Sequence, residues 1–415
     1  MKRVSISALV SVTALTLLAA GPVLADCGFT GRTGTVNVLA NSFPVLDHMA
    51  TAMKACGKDG LTVNVKLTSQ LKEEVEQAFG SGASPFDLAQ VGTGSFTTLA
   101  ANGSLQPMTD LVGKYKAKYD LQPSMLITIG KDVYGIAFQT NLQHLFYRKD
   151  LLEQHKIPVP KTYAEVLAAA KKLKEVGAVE NPFSAAYKPG WDLANEFTNI
   201  YLSEGGKFFA DGSAEPKFQS PEALKTLATM KDLVGYMSPN ALGLATGDVT
   251  TAFQQGTTAL GILWATRAAA MDDAKVSKVV GKVGFAAAPG ASAGAPSATT
   301  QFWDAFVMPR SMKGDRETAF LLLMEATKLD TMKAAPDLAN WLRPGISTSE
   351  YSKGVQESVA AQAPGFPTEP YFSLALAALG QQVGDYLAGR KTAEQALSEA
   401  TRAYTQSAKE KGYLK

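Results

Sequence analysis

The sequence predicts an α/β chain. Short apolar runs of strand type alternate with segments of helical period from Thr35 onward, the pattern of a layered α/β protein. Capping and turn residues punctuate those segments at their ends. Removal of a 25-residue leader from the 415 residues leaves 390, enough for two units that each bury a core.

The leader comes first. Lys2 and Arg3 form a basic start, Ile6 to Ala20 an apolar stretch, and Val23-Leu24-Ala25 a small-residue cleavage site. This is the pattern of a secretory signal peptide over residues 1–25, cut after Ala25, which directs the chain to the periplasm. Asp26 precedes Cys27, where a lipid-attachment motif needs a small uncharged residue, so a free rather than a lipid-anchored protein is expected. Cys27 and Cys56 are the only cysteines, and an oxidising compartment favours their pairing. Thr35–Ala40 reads as the first strand and Pro44–Cys56 as the first helix, with Leu46, Met49 and Met53 on one face. A helix that returns antiparallel to its strand brings Cys56 back towards Cys27. Closing that loop stabilises by roughly 3 kcal/mol in the chain-entropy model.

Further elements follow in order. Leu61–Leu67 is a strand, Leu71–Phe79 a helix, and Phe86–Val91 a strand that ends in Gly92-Thr93-Gly94 and leads into a helix to Ala101. Asp87 reads as a structural residue that holds a loop at this strand. Tyr134–Phe138 is a strand, Gln139–Asn141 a polar loop, and a second apolar run ends in Tyr147-Arg148-Lys149-Asp150. After Pro158–Pro160, Thr162 and Glu165 have the spacing of a capping box, with Glu165 reaching back to the Thr162 amide. Trp191–Glu204 is helical up to Gly205-Gly206, and Ser220-Pro221 opens another helix. Pro289–Thr300 reads as an exposed connector. Phe302–Pro309 is a returning strand, Asp315–Lys328 a largely apolar helix, and Thr392 caps the last helix.

Composition excludes several functions. Loss of Lys2 and Arg3 leaves 38 of the 40 basic residues against 38 acidic ones. A chain without net charge has no electrostatic footprint for nucleic acid or an anionic membrane. His48, His144 and His155 lack metal-ligand spacing, and no phosphate loop or nucleophile elbow is present. No metal, cofactor or catalytic residue is therefore expected.

The stretch from Tyr134 to Lys174 resembles the central crossover of family 1 extracellular solute-binding proteins of bacterial ABC importers. The shared features are the strand, polar loop and second strand, the Tyr147–Asp150 segment, the paired prolines and the capped Thr162-Tyr163-Ala164-Glu165 start. Arg148 stands where the family usually has Asn, and Tyr163 where it usually has Trp. Residues 252–264, 279–289 and 387–397 resemble later family segments, so the resemblance spans nearly the whole mature chain.

The resemblance implies a two-lobe periplasmic binding fold of type II. Lobe one is expected over 26–139 plus 300–345 and lobe two over 140–299 plus 346–415. The hinge crossings are placed at Gln139–Asn141, at 289–300 and after Arg343. It further implies a monomer that is not an enzyme and that hands a small-molecule ligand to the transmembrane subunits of an ABC permease.

Binding residues carried over from the family lie at strand ends. The first strand supplies Asn41, Ser42 and Phe43; the third supplies Gly92 and Thr93; the crossover supplies Asn141. The second lobe supplies Trp191, Asp192, Trp264 and Arg267, and the return crossing Trp303 and Asp304, with Arg343 beyond. Aromatic faces cover the C–H side of a sugar while Asp, Asn and Arg satisfy its hydroxyls. The Trp264 region, with its Ala-rich segment and Ser277-Lys278-Val279, resembles polyol and monosaccharide carriers, so a small neutral sugar or sugar alcohol is expected. The alternatives are a glycerophosphodiester, a polyamine or iron on the same frame, or a secreted glycoside-acting enzyme.

Overall fold

The computed structural model describes residue 27 and residues 31–80, 82–346 and 349–415. The signal peptide and its cleavage site lie outside the described residues. Among the described residues no helix is long and apolar enough to cross a membrane.

The first half of the chain builds β1 (Gly34–Asn41), α1 (Pro44–Lys54), β2 (Leu61–Thr68), α2 (Leu71–Gly80), β3 (Leu88–Gly92), α3 (Thr93–Ala101), α4 (Thr109–Tyr119), β4 (Leu126–Ile129) and β5 (Asp132–Asn141). The chain then crosses into β6 (Gln143–Arg148), α5 (Lys149–Gln154), α6 (Tyr163–Glu175), β7 (Phe183–Ser184), α7 (Trp191–Ser203), α8 (Pro221–Val234), α9 (Thr246–Gln254), β8 (Leu260–Trp264) and β9 (Val283–Ala286). It returns for β10 (Phe302–Val307), α10 (Arg316–Ala326), α11 (Leu329–Lys333) and β11 (Asn340–Trp341), and ends in α12 (Lys353–Ala360), α13 (Phe372–Leu387) and α14 (Ala393–Glu410).

Two sheets result, one in each lobe. The first runs β11-β5-β10-β3-β1-β2, with β4 also on β5; the second runs β7-β8-β6-β9. In the first, β1 is parallel to β2 and β3, while β10 returns antiparallel between β3 and β5. The carboxyl ends of β1, β3 and β5 and the start of β10 therefore share one edge. This is the edge at which α/β sheets present their ligand sites. In the second sheet β8 is antiparallel to β6, so Trp264 at its end pairs with Gln143 at the start of β6. That pairing turns the end of β8 towards the crossing and the first sheet.

The sequence explains the local structure. β1 alternates because one face meets α1, where Leu46, Met49 and Met53 are buried, and the other meets Val75 and Phe79 of α2. Asp87 accepts the Asn37 N–H at 2.8 Å and the Gly314 N–H at 3.1 Å, a structural tie as expected. Thr162 caps α6 through the Glu165 N–H, but Glu165 reaches the Lys161 amide at 2.6 Å, one residue earlier than a standard box. Thr392 and Gln395 form a full box at α14. The disulfide Cys27–Cys56 is present, with Cα atoms 5.6 Å apart.

Two expectations change. Gln139–Asn141 is not a loop: β5 continues through Asn141 because Phe302 and Trp303 of β10 and Asn340 and Trp341 of β11 pair with it. The crossing is at Leu142, and Thr140 and Asn141 stand with the first sheet rather than the second lobe. The 289–300 connector is exposed only in its middle. Ser297, Ala298, Thr299 and Thr300 are buried, held by polar contacts that a sequence rich in small residues does not advertise.

Candidate functional site

A cleft of about 570 Å³ opens along the shared edge and takes walls from both sheets. Its first-lobe wall is made of Asn41, Ser42 and Phe43 after β1, Gln90 and Gly92 of β3, Asn141 of β5 and Asp304 of β10. The opposite wall holds Trp191 and Asp192 at the start of α7 and Trp264 and Arg267 after β8.

Each wall is held by particular contacts. Trp191 opens α7 directly after Gly190, whose φ of +110° is a conformation that side-chain-bearing residues rarely adopt. Gly380 of α13 lies so close that a Cβ there would sit 2.2 Å from the Gly190 carbonyl oxygen. The start of α7 is thereby set against α13. Trp191 and Trp264 stack with centroids 6.0 Å apart, and Phe302 meets Trp264 edge-on at 5.2 Å. Phe366 backs Phe302 at 4.2 Å. The three rings Trp191, Trp264 and Phe302 form an aromatic corner, an apolar face of the kind that covers sugar C–H groups.

Polar groups face this corner. Asp304 accepts the Gln90 amide at 2.8 Å on one carboxylate oxygen and the Gln139 amide at 2.6 Å on the other. Burial pushes its carboxyl up to about 6, against the pull of the two amides. Asp192 is also raised to about 6 by burial, partly offset by nearby Lys188 and by the Thr246 backbone N–H. Arg267 sits over the Phe43 ring at 5.7 Å, and burial lowers its pKa. Asn141 Oδ1 and Arg267 Nε are buried with no hydrogen-bond partner among the described residues, and both residues line the cleft. Buried polar atoms are nearly always satisfied, so these two leave one acceptor and one donor open at the cleft.

Three expected site residues stand outside the cleft. Arg343 is buried in the first lobe, where it donates to the carbonyls of Thr327, Tyr119 and Asp120 at 3.1, 2.8 and 3.0 Å. A guanidinium suits that task because it serves several carbonyls from one plane. Trp303 points to the other face of β10, packs on Phe96 at 5.2 Å and lines a separate shallow depression. Strand alternation decides this, since its neighbours Phe302 and Asp304 face the cleft. Thr93 is buried and uses its hydroxyl to accept the Trp303 N–H at 3.1 Å.

Other residues were missed. Gln90 is polar in the middle of the buried strand Leu88–Gly92, which was a readable signal. Phe302 and Phe366 look like ordinary core in the sequence, and only their position at the cleft distinguishes them.

The family described as bacterial extracellular solute-binding protein matches residues 47–309. A mannitol-binding protein of Pseudomonas aeruginosa is 24% identical over 373 residues, 83% of this chain and 85% of that protein. A solute-binding protein of an Agrobacterium radiobacter ABC transporter, solved with ribitol, superposes with a TM-score of 0.79 at 23% identity, covering 90% of this chain and 98% of that one. One from Agrobacterium vitis, with bound D-mannitol, has a TM-score of 0.78 at 22% identity over 92% of this chain and 100% of that one. At these identities the superpositions establish a shared two-lobe fold.

Proposed function

The chain belongs to the bacterial extracellular solute-binding proteins, and we propose that it captures a small neutral sugar or sugar alcohol for an ABC importer. The observation that carries this reading is the aromatic corner of Trp191, Trp264 and Phe302, with Arg267 beside it on the same wall and Asn141 and Asp304 on the first-lobe wall. The rings cover C–H groups while the polar side chains around them offer acceptors and a donor to hydroxyls, the combination a polyol requires. A volume of about 570 Å³ suits a compact ligand. The relatives that are a mannitol-binding protein or were solved with ribitol and D-mannitol support the same class.

The two lobes then act as jaws. Crossings at Leu142, near 297–301 and beyond Arg343 serve as the hinge, and the ligand favours the closed form because only that form touches it from both sides. The chain works as a periplasmic monomer, freed of its leader after Ala25, and docks on the permease's transmembrane subunits. It has no enzymatic role: both Asp304 oxygens are held by glutamine amides, which suits fixed acceptance of hydroxyls better than proton transfer.

Calorimetry with D-mannitol, ribitol, a monosaccharide, maltose, a glycerophosphodiester and a polyamine tests the reading. A neutral polyhydroxy compound should bind with little salt dependence. Binding only by the charged solutes, abolished by salt, would overturn it.

A further inference from the structure

Behind the aromatic corner lies a buried polar network whose residues do not line the cleft. Gln143 is the first residue after the Leu142 crossing, and its backbone N–H donates to Thr299 Oγ1 at 3.0 Å on the return crossing. Its side-chain carbonyl accepts the amides of Asn195 and Asn199 at 2.9 and 2.6 Å. Its side-chain amide donates to Glu196 Oε1 at 2.7 Å. Thr300 Oγ1 donates to Asn199 Oδ1 at 2.9 Å, which closes the network onto the return crossing. Gln143, Asn195, Glu196, Asn199, Thr299 and Thr300 are all at most 2% exposed.

The network joins three pieces of chain; two of them carry a ring of the corner, and the third pairs with the strand that carries the last. α7 carries Trp191, one turn before Asn195; Gln143 is the ladder partner of Trp264; Thr300 lies two residues before Phe302. A one-residue slip at any of them would turn a ring away. We infer that Gln143 and Glu196 are positioning residues of the binding site, their buried bond holding both crossings and α7 where Trp191, Trp264 and Phe302 align. This rests on the cleft being the ligand site.

Glu196 has a further property in this setting. The ionisable groups around it are Asp192 one turn earlier on α7, Tyr163 at the start of α6 and Tyr187 in the segment before α7; none of these is cationic. Its carboxyl accepts from Gln143 and from the Ala186 backbone N–H. Burial, with Asp192 adding to it, moves the carboxyl up to about 8, which favours the protonated form at pH 7. Tyr163 and Tyr187 are pushed well above the ordinary tyrosine range and stay protonated throughout. Ionised Glu196 would be a buried anion without a counter-charge, and relief requires water to enter and the bond to Gln143 to rearrange. Alignment of the corner is thus tied to protonated Glu196.

Glu196→Gln keeps the shape and the neutral charge, and it tests the idea in two arms. Without ligand, the near-ultraviolet circular dichroism of the Trp191–Trp264 stack, isolated as the difference from Trp191→Phe, is followed from pH 6.5 to 9.5. The parent should lose that signal with a midpoint near 8, and Glu196→Gln should hold it. With D-mannitol, the parent's affinity should fall about tenfold from pH 7 to 9.5, while Glu196→Gln stays level. The same profile in both proteins overturns the inference. Should Glu196→Gln not fold, the parent decides alone, and a signal unchanged across the range overturns it. A ligand-free transition together with no binding of D-mannitol, ribitol or a monosaccharide upholds the network and overturns only the sugar-or-polyol reading.

Discussion

Trp264 stacks on Trp191 with centroids 6.0 Å apart and planes 23° from parallel, although one ends a strand and the other begins a helix. Their shared face is half-exposed at the cleft, and Phe302 supports it edge-on. A ligand that covers it gains apolar burial without ordering any new side chain, since the rings already support one another.

Trp264→Ala should therefore weaken binding of D-mannitol by about ten- to hundred-fold, on the order of 1–3 kcal/mol. Calorimetry measures the affinity, and a thermal melt checks that the fold survives. Affinity equal to the parent's would remove the corner from the site.

Asp304 should make binding fall in acid. Its carboxyl is raised to about 6 by burial, so lowering the pH through 6 protonates it and removes an acceptor from the ligand's hydroxyls. The effect on stability has the opposite sign. Folded Asp304 keeps a proton that the unfolded chain has released above about 4, so its contribution falls as pH rises from about 4 to about 6. His144, lowered to about 4 by burial, opposes that trend: its contribution is present above about 6.5 and lost as pH falls towards 4. The informative quantity is the difference between the parent and Asp304→Asn in titrations from pH 4.5 to 7.5. Asp304→Asn should bind more weakly at pH 7 and with a flatter profile below it; matching profiles would show that Asp304 is not the acceptor.

Arg343→Ala separates architecture from binding. Three backbone carbonyls each lose a donor, of which among the described residues only the Asp120 carbonyl keeps another from the Gln122 amide, and the loss should cost about 2–4 kcal/mol of stability. D-Mannitol affinity at a temperature where the variant is folded should match the parent's. A large affinity loss in a protein of unchanged stability would return Arg343 to the site.

Gly380→Ala should damage the site from a distance. The added Cβ collides with the Gly190 backbone, and the start of α7 must shift together with Trp191 and Asp192. Affinity should fall at least tenfold. Crystallography of the variant would show Trp191 displaced from Trp264, and an undisturbed stack would refute the link.

The Cys27–Cys56 bond braces the first lobe away from the cleft. Reduction should lower stability by about 3 kcal/mol, or the melting temperature by about 4 °C. Affinity for D-mannitol should not change. Mass spectrometry of the unreduced protein should find no alkylatable thiol; two free thiols would refute the pairing.

The sequence by itself determined the alternation of strands and helices, because helical period and pleat alternation are local properties that each segment writes for itself. It also determined the caps at Thr162, Ser220 and Thr392, where one hydroxyl three residues from an amide suffices. The wall residues Asn41, Asp192, Trp264, Arg267 and Asp304 were legible through family resemblance, since strand ends recur at fixed places in such chains. Tertiary structure alone decided the rest. Trp303 and Asp304 are adjacent in the chain yet face opposite sides of β10, and only the pairing with β3 and β5 says which side is the cleft. Arg343 reads as a binding cation until three carbonyls from distant segments are found around it. Gln143 and Glu196 are 53 residues apart, and neither has a local pattern that announces the other. Their bond exists because α7 packs behind the crossing, a long-range contact that period and propensity do not encode.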